Sequence, residues 1–197
     1  STSGGSINVQ AQSGSIDMHE RVLGSTGNMG GDIFYQAQSD IILGGLYSGQ
    51  GSVFVQSSAT IKAAGNWYKD VVGHALALDA AGIGDIESGS ELNLYVDVLA
   101  ARAGSAGMNL QNAGDLEIAD VQATVYAVDV KGASKVQQDL TLSDLTAAAD
   151  GSIVLRVDKG SLTLSDGQDA DTTGVSALGT GYIDLSASFD VQQNAGA

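Results

Sequence analysis

The clearest pattern in the chain is an alternation of apolar and polar positions between Gly151 and Asp166. The stretch GSIVLRVDKGSLTLSD contains two segments that begin with Gly-Ser and then place apolar residues at every second position, with the two segments nine residues apart. A period of two predicts short β-strands with one buried face. We therefore expect Ile153 and Leu155 to point inward, and Val154 to lie on the outward phase of the same strand.

The same unit occurs near the beginning of the sequence, in GSINVQAQSGSIDM from Gly5 to Met18. Aligned without gaps, its glycines, serines and apolar residues fall on their counterparts in the unit that begins at Gly151. A unit that recurs along a chain predicts a repeat architecture, in which each copy packs against its neighbours.

Further copies begin at Gly31 and Gly51, weaker ones occupy the middle of the chain, and a last one ends in YIDLSASFDVQQN. The first apolar residues of the clear units are Ile7, Ile33, Val53, Leu76, Met108, Ile153 and Ile183. Most of the gaps between them are 20 to 32 residues long. This spacing, with Gly and Asp at the intervening corners, predicts an all-β fold: a single parallel β-helix over residues 1–197, with coils of about 20–30 residues. The residues predicted to point inward are Ile7, Val9, Ile33, Val53, Val55, Leu76, Leu78, Met108, Leu110, Ile153, Leu155, Ile183 and Leu185.

Two Ala-rich patches, Leu99 to Ala106 and Leu145 to Ala149, leave a helical alternative open. Both are short and are bounded by Gly or Asp, so strands are the favoured interpretation.

Composition supports a thin, repetitive core. The chain of 197 residues has 27 Gly, no Pro and no Cys, and 43% of its residues are hydrophobic although only 5% are aromatic. A formal charge of −15 argues against nucleic acid and anionic membranes as partners. No apolar run reaches the roughly 18 residues of a membrane helix, so we expect no membrane insertion. With no leader and no capping helix in the sequence, we expect a segment of a longer repetitive chain.

The cadence Gly-Ser-Ile-x-Val and Gly-Ser-Leu-Thr-Leu resembles the repeats of very large bacterial surface proteins. These are the filamentous haemagglutinin-like adhesins and the autotransporter passenger domains. The resemblance implies a right-handed parallel β-helix at the bacterial cell surface, extracellular, with a role in adhesion, biofilm formation or cell-to-cell contact. It implies as partners neighbouring coils, copies of the same protein, and surface glycans or proteins. The cadence is shared with glycan-cleaving β-solenoids and carries no site residues.

One candidate interaction site lies in the arc AGNWYKDVVGH, where Trp67 and Tyr68 are followed by Asp70 and His74. An aromatic pair beside a carboxylate is typical of glycan stacking or of a protein contact. The alternative is that the Trp folds back over the flank of the solenoid.

A candidate Ca²⁺ site is the stretch SDGQDAD, in which Asp166, Asp169 and Asp171 offer carboxylate oxygens. Their spacing matches no established calcium loop, and a solvated turn is the favoured alternative. No other cofactor is indicated.

The two histidines, His19 and His74, have no Cys partner and no recognisable motif around them. The sequence therefore indicates neither a metal site nor a nucleophilic catalytic site. Asp158 and Asp184 could form a pair of carboxylates for glycan cleavage if they faced each other on neighbouring coils. An acidic solenoid produces such pairs by coincidence, so we predict that the chain is not an enzyme.

Three functions therefore stand as hypotheses: a structural or interaction rod of a surface fibre or adhesin, a carbohydrate-binding or glycan-cleaving solenoid, and a Ca²⁺-stabilised surface-layer or fibre component. The sequence favours the first function, because it combines repeated strand units and an acidic composition with no recognisable catalytic or metal-binding motif.

Overall fold

A computed structural model describes residues 5–65, 69–128, 131, 133–167 and 171–194 of the chain. Within these ranges the protein is all-β and contains no helix. The described residues include no helix long and apolar enough to cross a membrane.

Strands follow one another in sets that border a common core. The first three sets are β1 (Ile7–Ala11), β2 (Ile16–Asp17) and β3 (Gly24–Ser25), then β4 (Ile33–Ala37), β5 (Ile41–Leu43) and β6 (Leu46–Tyr47), then β7 (Ser52–Ser57), β8 (Thr60–Ala63) and β9 (Val71–Val72). We call each set a coil.

In the middle of the chain the strands become longer. These are β10 (Ala75–Ile83), β11 (Leu92–Tyr95), β12 (Val98–Ala113) and β13 (Leu116–Ile118). The Ala-rich patch from Leu99 lies within β12, so it is a strand rather than a helix.

After β13 comes an insertion of two strands, β14 (Val121–Val128) and β15 (Ser134–Leu142). The coils then resume with β16 (Leu145–Ala147), β17 (Ile153–Asp158) and β18 (Leu162–Leu164), followed by β19 (Val175–Ala177), β20 (Ile183–Ala187) and β21 (Val191–Gln193). The second Ala-rich patch therefore also begins as a strand, β16.

Nineteen strands form one solenoid-like sheet in which every pairing between named strands is parallel. Paired residues are 18 to 30 positions apart, and 44 to 46 apart where the insertion intervenes. The spacing of roughly 20 to 30 residues that the sequence predicted is thus observed between paired strands, except around the insertion.

The register aligns inward residues into columns. The first column contains Ile7, Ile33, Val53, Leu76, Leu99, Ile118 and Leu164. The second contains Ile16, Ile41, Ile61, Ile83, Met108, Ile153 and Ile183. The third contains Gly24, Leu46, Val71, Leu94, Asn112, Val157 and Ala187. All three columns border one continuous hydrophobic core.

The columns correct the alignment of units expected from the sequence. Ile7 lies in the first column, whereas Met108, Ile153 and Ile183 lie in the second. The Gly-Ser-apolar unit therefore recurs at two different positions around the coil. Every strand that borders the core after a corner needs the same alternation of apolar and polar residues. The pattern therefore does not show which position in the coil a strand occupies.

Most residues predicted to point inward are buried in the core, but the two outermost coils are partly open. Ile7, Val9 and Leu185 are half-buried against the core, and Ile183 is 46% exposed although it is in register with Ile153. Val154 lies on the opposite face of β17 from the core residues Ile153 and Leu155, as the alternation predicts, but it is 95% buried rather than solvated. Asp would consequently not be tolerated at this position.

The third column accommodates one polar side chain, Asn112, which is fully buried between Leu94 and Val157. Its side chain accepts a hydrogen bond from the Val96 N–H at 3.0 Å and donates to the carbonyls of Val96 and Gly114 at 3.1 and 3.2 Å. These three bonds offset the cost of burying the amide.

The inserted strands β14 and β15 form an antiparallel hairpin that packs on the outside of the large sheet. Val121, Ala123 and Val125 of the hairpin form a second apolar cluster with Phe34 and Phe54. The N–H of Thr124 donates to the Asp32 carboxylate at 2.6 Å, and the N–H of Tyr126 donates to the Ser6 hydroxyl at 3.1 Å. The hairpin therefore runs across the coils and covers Phe34 and Phe54. Without it, these outward-facing aromatic side chains would be exposed to solvent.

Candidate functional site: a groove beside the first three coils

An apolar groove of about 540 Å³ lies on the outside of the first three coils. Its floor is built by strands β3, β6 and β9, whose outward residues Ser25, Tyr47 and Val72 are aligned by the register of the sheet. The Tyr47 hydroxyl is 2.5 Å from the Asn28 side-chain oxygen, to which it donates a hydrogen bond. This bond restrains the Tyr47 side chain, which lines the groove.

One wall is the arc that joins β2 to β3 and carries Arg21, Val22 and Leu23. Val22 N–H donates to the His19 carbonyl at 3.1 Å, and Arg21 takes a positive φ of 70° to close this turn. The turn leaves Val22 48% and Leu23 62% exposed. Two large aliphatic side chains are thus presented at the rim instead of being buried in the core.

The arc approaches the next coil closely at Gly44. A Cβ atom at this position would lie 2.4 Å from the His19 carbonyl oxygen and 2.7 Å from that of Val22, so only glycine fits beneath the arc. The glycine at position 44 therefore allows the arc to lie directly against the next coil.

Charged groups lie at the rim of the groove. Arg21 and Lys69 line it together with Glu20, whereas the chain as a whole carries a net charge of −15 with only eight Lys and Arg residues.

The predicted aromatic residues Trp67 and Tyr68 lie outside the described residues. In the sequence they stand between Gly65 and Lys69, both of which line the groove. His74 was grouped with them, but it does not line the groove. Its Nδ1 atom is instead 2.9 Å from the Asp97 carboxylate at the corner between β9 and β10.

The candidate Ca²⁺ ligands are not assembled into a site within the described part of the chain. Asp169 lies outside it, and Asp171 accepts a hydrogen bond from the Thr173 N–H at 2.8 Å, as in a local turn. Asp166 is half-buried, and one of its carboxylate oxygens has no hydrogen bond among the described residues. No group of three or more His, Cys, Asp or Glu side chains in these ranges could hold a metal ion.

The two carboxylates considered for glycan cleavage do not face each other. The register places Asp184 beside Val154, whereas Asp158 lies four residues further along β17 and accepts a hydrogen bond from Gln111. Four residues of a strand span about 13 Å, which is beyond the separation of about 5 to 10 Å that paired glycosidase carboxylates use. His19 is likewise engaged locally, with its Nδ1 atom 2.7 Å from the Glu20 carbonyl oxygen.

Sequence reasoning missed a structural use of aspartate at the corners. Asp40 accepts the N–H and the hydroxyl of Thr60 in the next coil at 3.1 and 2.6 Å, and Asp150 accepts the same two groups of Thr180 at 2.6 and 3.0 Å. These bonds hold the pKa of both carboxyls below the usual range, chiefly through the Thr60 hydroxyl for Asp40 and through the Thr180 N–H for Asp150. Part of the acidic excess therefore joins one coil to the next.

Asp70 also links neighbouring coils, but its side chain is buried. It is 1% exposed, and its carboxylate accepts the Asn93 N–H of the following coil at 2.8 Å. Burial raises the pKa of Asp70 to about 7, because the desolvation of the charged form outweighs the Asn93 hydrogen bond. This carboxyl consequently changes its charge near neutral pH.

A polar ladder runs along the outside of the sheet next to the hairpin. Gln36 donates to Gln56 at 2.7 Å, Gln56 donates to Asp79 at 3.0 Å, and Arg102 makes a bidentate pair with Asp79 at 2.7 and 3.0 Å. Burial alone would raise the pKa of Asp79, but the hydrogen bonds from Arg102 and Gln56 outweigh this effect. The pKa of Asp79 therefore lies below its usual range. The ladder is thus a surface contact between coils that needs no ligand.

Comparison of the chain with protein-family models, characterised proteins and solved structures finds no match.

Proposed function

We propose that the chain is a right-handed parallel β-helix that serves as a structural and interaction rod of an extracellular bacterial surface fibre or adhesin. The observation that carries the proposal is the alignment of inward residues into continuous columns around one apolar core. Such a stack is held by backbone pairing and apolar contacts between neighbouring coils, as in repeat proteins that act as extended scaffolds. The resemblance to adhesin repeats implies the right hand, and the strong preference of parallel strand crossovers for that hand supports it.

Additional support comes from the use of polar residues. Corner carboxylates such as Asp40 and Asp150, and the Gln36 to Arg102 ladder, link one coil to the next. Polar side chains that are used for contacts between coils stabilise the stack itself, which is consistent with a structural rod. The location at the bacterial surface is supported by the resemblance of the Gly-Ser-Ile-x-Val cadence to adhesin repeats.

An adhesion assay tests the proposal. Beads coated with the chain are mixed with epithelial cells, with bacteria and with one another, and attached beads are counted by flow cytometry. We expect attachment in at least one of these mixtures. Beads coated with Leu155→Asp, which places a charge in the core, should attach in none.

Two results would contradict the proposal. One is attachment of the folded chain in none of the mixtures. The other is release of reducing or unsaturated sugar from a polysaccharide panel, which would show a glycan-cleaving enzyme instead.

A further inference from the structure

We propose that copies of this chain stack head to tail, with the open edge of the last coil, β20 and β21, pairing with the open edge of the first coil, β1 and β2, of the next copy. The inference deepens the proposed function and rests on it, because a fibre needs a contact that joins one copy to the next. All four strands of this contact lie within the described residues.

The last coil leaves core positions open to solvent. Ile183 and Val191 are 46% and 53% exposed, although they are in register with Ile153 and Leu162, which are fully buried in the preceding coil. These side chains continue buried columns of the core, so one more coil would cover them. Of the eleven large hydrophobic residues that are exposed in the described ranges, five belong to the last coil: Leu178, Tyr182, Ile183, Phe189 and Val191.

The backbone of the last coil is paired on one side. β20 pairs with β17 and β21 with β18, and no further strand pairs with either among the described residues. The Ile153 N–H of β17 donates to the Tyr182 carbonyl at 2.8 Å. Alternate residues of a parallel strand direct their backbone groups to opposite neighbours, so those of Ile183, Leu185 and Ala187 point away from β17. These groups form an edge that can pair with another strand.

The first coil offers the complementary edge. The Ile7 N–H donates to the Asp32 carbonyl at 3.0 Å, at the start of the pairing between β1 and β4. By the same alternation, the N–H and C=O groups of Asn8 and Gln10 point away from β4. In a head-to-tail stack the two free sets of groups face each other on strands that run in the same direction, so they can form one more parallel ladder.

The two edges also match in length and spacing. β1 and β20 are both five residues long, with the sequences INVQA and IDLSA. Ile7 and Ile16 are nine residues apart, and Ile183 and Val191 are eight apart. Units with these two spacings already pair within the chain, where β1 and β2 meet β4 and β5. In the proposed register, Ile7 of the next copy covers Ile183 and its Ile16 covers Val191.

This register keeps like charges apart. Asp184 follows Ile183 and lies beside Asn8 of the next copy, while Asp17 of the next copy lies beside Gln192. Each carboxylate thus faces an amide, whereas like charges directly opposite each other on paired strands would be destabilising. The contact therefore accepts a second copy even though each copy carries a net charge of −15.

Sedimentation velocity of the full chain tests the contact. The pairing of two coil edges makes a small interface, so we expect the sedimentation coefficient to rise between about 5 and about 200 μM protein. The contact joins two different edges, so the species should grow beyond a dimer. Raising NaCl from about 10 to about 150 mM should increase association, because salt screens the net charge of the copies.

Two variants block one edge each. Ile183→Lys adds a charge to the edge of the last coil, where the side chain is already 46% exposed. Gln10→Pro removes an N–H from the edge of the first coil and leaves the bonds to β4 in place. Each variant alone should stay monomeric, with a melting temperature close to that of the wild type. Their equimolar mixture should form dimers and nothing larger, because each copy keeps the edge that the other has lost.

Tyr95→Lys is the matched control, at an exposed position in a middle coil, and should associate like the wild type. Loss of association in this control would place the contact on the side of the stack and overturn the proposal. Association of Gln10→Pro alone would show a contact between two last coils instead, and association of Ile183→Lys alone would show one between two first coils.

A wild-type chain that stays monomeric over this concentration range would also refute the contact. If beads coated with that monomeric chain still attach to cells, the rod function stands without the stacking.

Discussion

At the residue scale, the role of each side chain is decided by the phase of its strand and by what covers it. In β17, Leu155 is fully buried and Arg156 is exposed, although they are neighbours in the sequence. Val154 shows that phase alone is insufficient, because it lies opposite to Ile153 and is buried all the same. Outward residues of this protein are not uniformly solvated.

The contrast within β17 gives a first prediction. Leu155→Asp should abolish cooperative unfolding, since burying a charge without a partner costs several kcal/mol. Arg156→Asp should change the free energy of unfolding by about 0.5 kcal/mol or less, as is usual at exposed positions. Urea denaturation followed by circular dichroism measures both variants. Similar destabilisation by the two substitutions would refute the assigned phase.

A second prediction concerns the buried carboxyl of Asp70. The folded chain holds the Asp70 proton up to pH about 7, whereas an unfolded chain releases it near pH 4. The contribution of Asp70 to stability is therefore complete below pH 4 and is lost as the pH rises to about 7, by up to about 4 kcal/mol. Asp70→Asn, whose amide oxygen can still accept the Asn93 N–H, should be more stable than the wild type at pH 8 and about equal to it at pH 4.

Thermal unfolding at pH 4, 6 and 8 measures the effect. Asp79→Asn serves as the control of opposite sign, because the pKa of Asp79 is lowered and its pairing with Arg102 stabilises the fold at high pH. If Asp70→Asn destabilises the protein at pH 8, the assigned cost of burying this carboxylate is wrong.

At the scale of elements, the hairpin of β14 and β15 is the feature that departs most from a plain stack of coils. Its cluster with Phe34 and Phe54 makes the first strands of several coils buried on both faces. Hydrogen bonds from Thr124 and Tyr126 reach residues 92 and 120 positions away in the chain. The hairpin thus links early coils to the middle of the sequence.

We predict that the hairpin can detach while the coils remain paired. Val125→Asp puts a charge into the outer cluster and should release β14 and β15, whereas Tyr126→Asp, at an exposed neighbour, should not. Hydrogen exchange should show lost protection at residues 121–142 and retained protection in β7, β10 and β12. Loss of protection throughout the sheet would show instead that hairpin and coils unfold as one unit.

The elements also show what the sequence could predict. Alternation from Ile7 to Leu76 was sufficient to identify one column correctly, because inward residues must repeat with period two wherever a strand borders the core. The same alternation in VQATVYAV of β14 carries no mark of a hairpin, since an antiparallel strand with one buried face has the same period. The sequence did not predict the groove, because its aliphatic wall at Val22 and Leu23 has no periodicity that could be recognised. The aromatic pair Trp67 and Tyr68, which the sequence did single out, lies outside the described residues.

At the scale of the whole molecule, charge is the dominant property outside the core. The chain has 23 acidic and 8 basic residues, so carboxylates on neighbouring coils that have no cationic partner repel each other. Parallel pairing and the core hold the stack against this repulsion.

Raising NaCl from 10 to 150 mM should therefore raise the melting temperature, because the screening length shortens from about 30 Å to about 8 Å. CaCl₂ at matched ionic strength should produce a similar rise. Differential scanning calorimetry makes the comparison. A large additional shift with Ca²⁺, accompanied by stoichiometric binding in a titration, would favour a specific cation site.

The central claim is the parallel stacking of coils, and spin-label distances along the second column test it most directly. Single labels can be placed cleanly at Asp17, Lys62 and Asp184, because the chain contains no cysteine and these exposed residues follow Ile16, Ile61 and Ile183. Two coil steps separate Ile16 from Ile61 and four separate Ile61 from Ile183. At about 4.8 Å per step, we predict backbone separations of about 10, 19 and 29 Å for the pairs 17/62, 62/184 and 17/184. Electron–electron resonance distances that add along one line in this way would support the stack, whereas a 17/184 distance shorter than the 62/184 distance would contradict it.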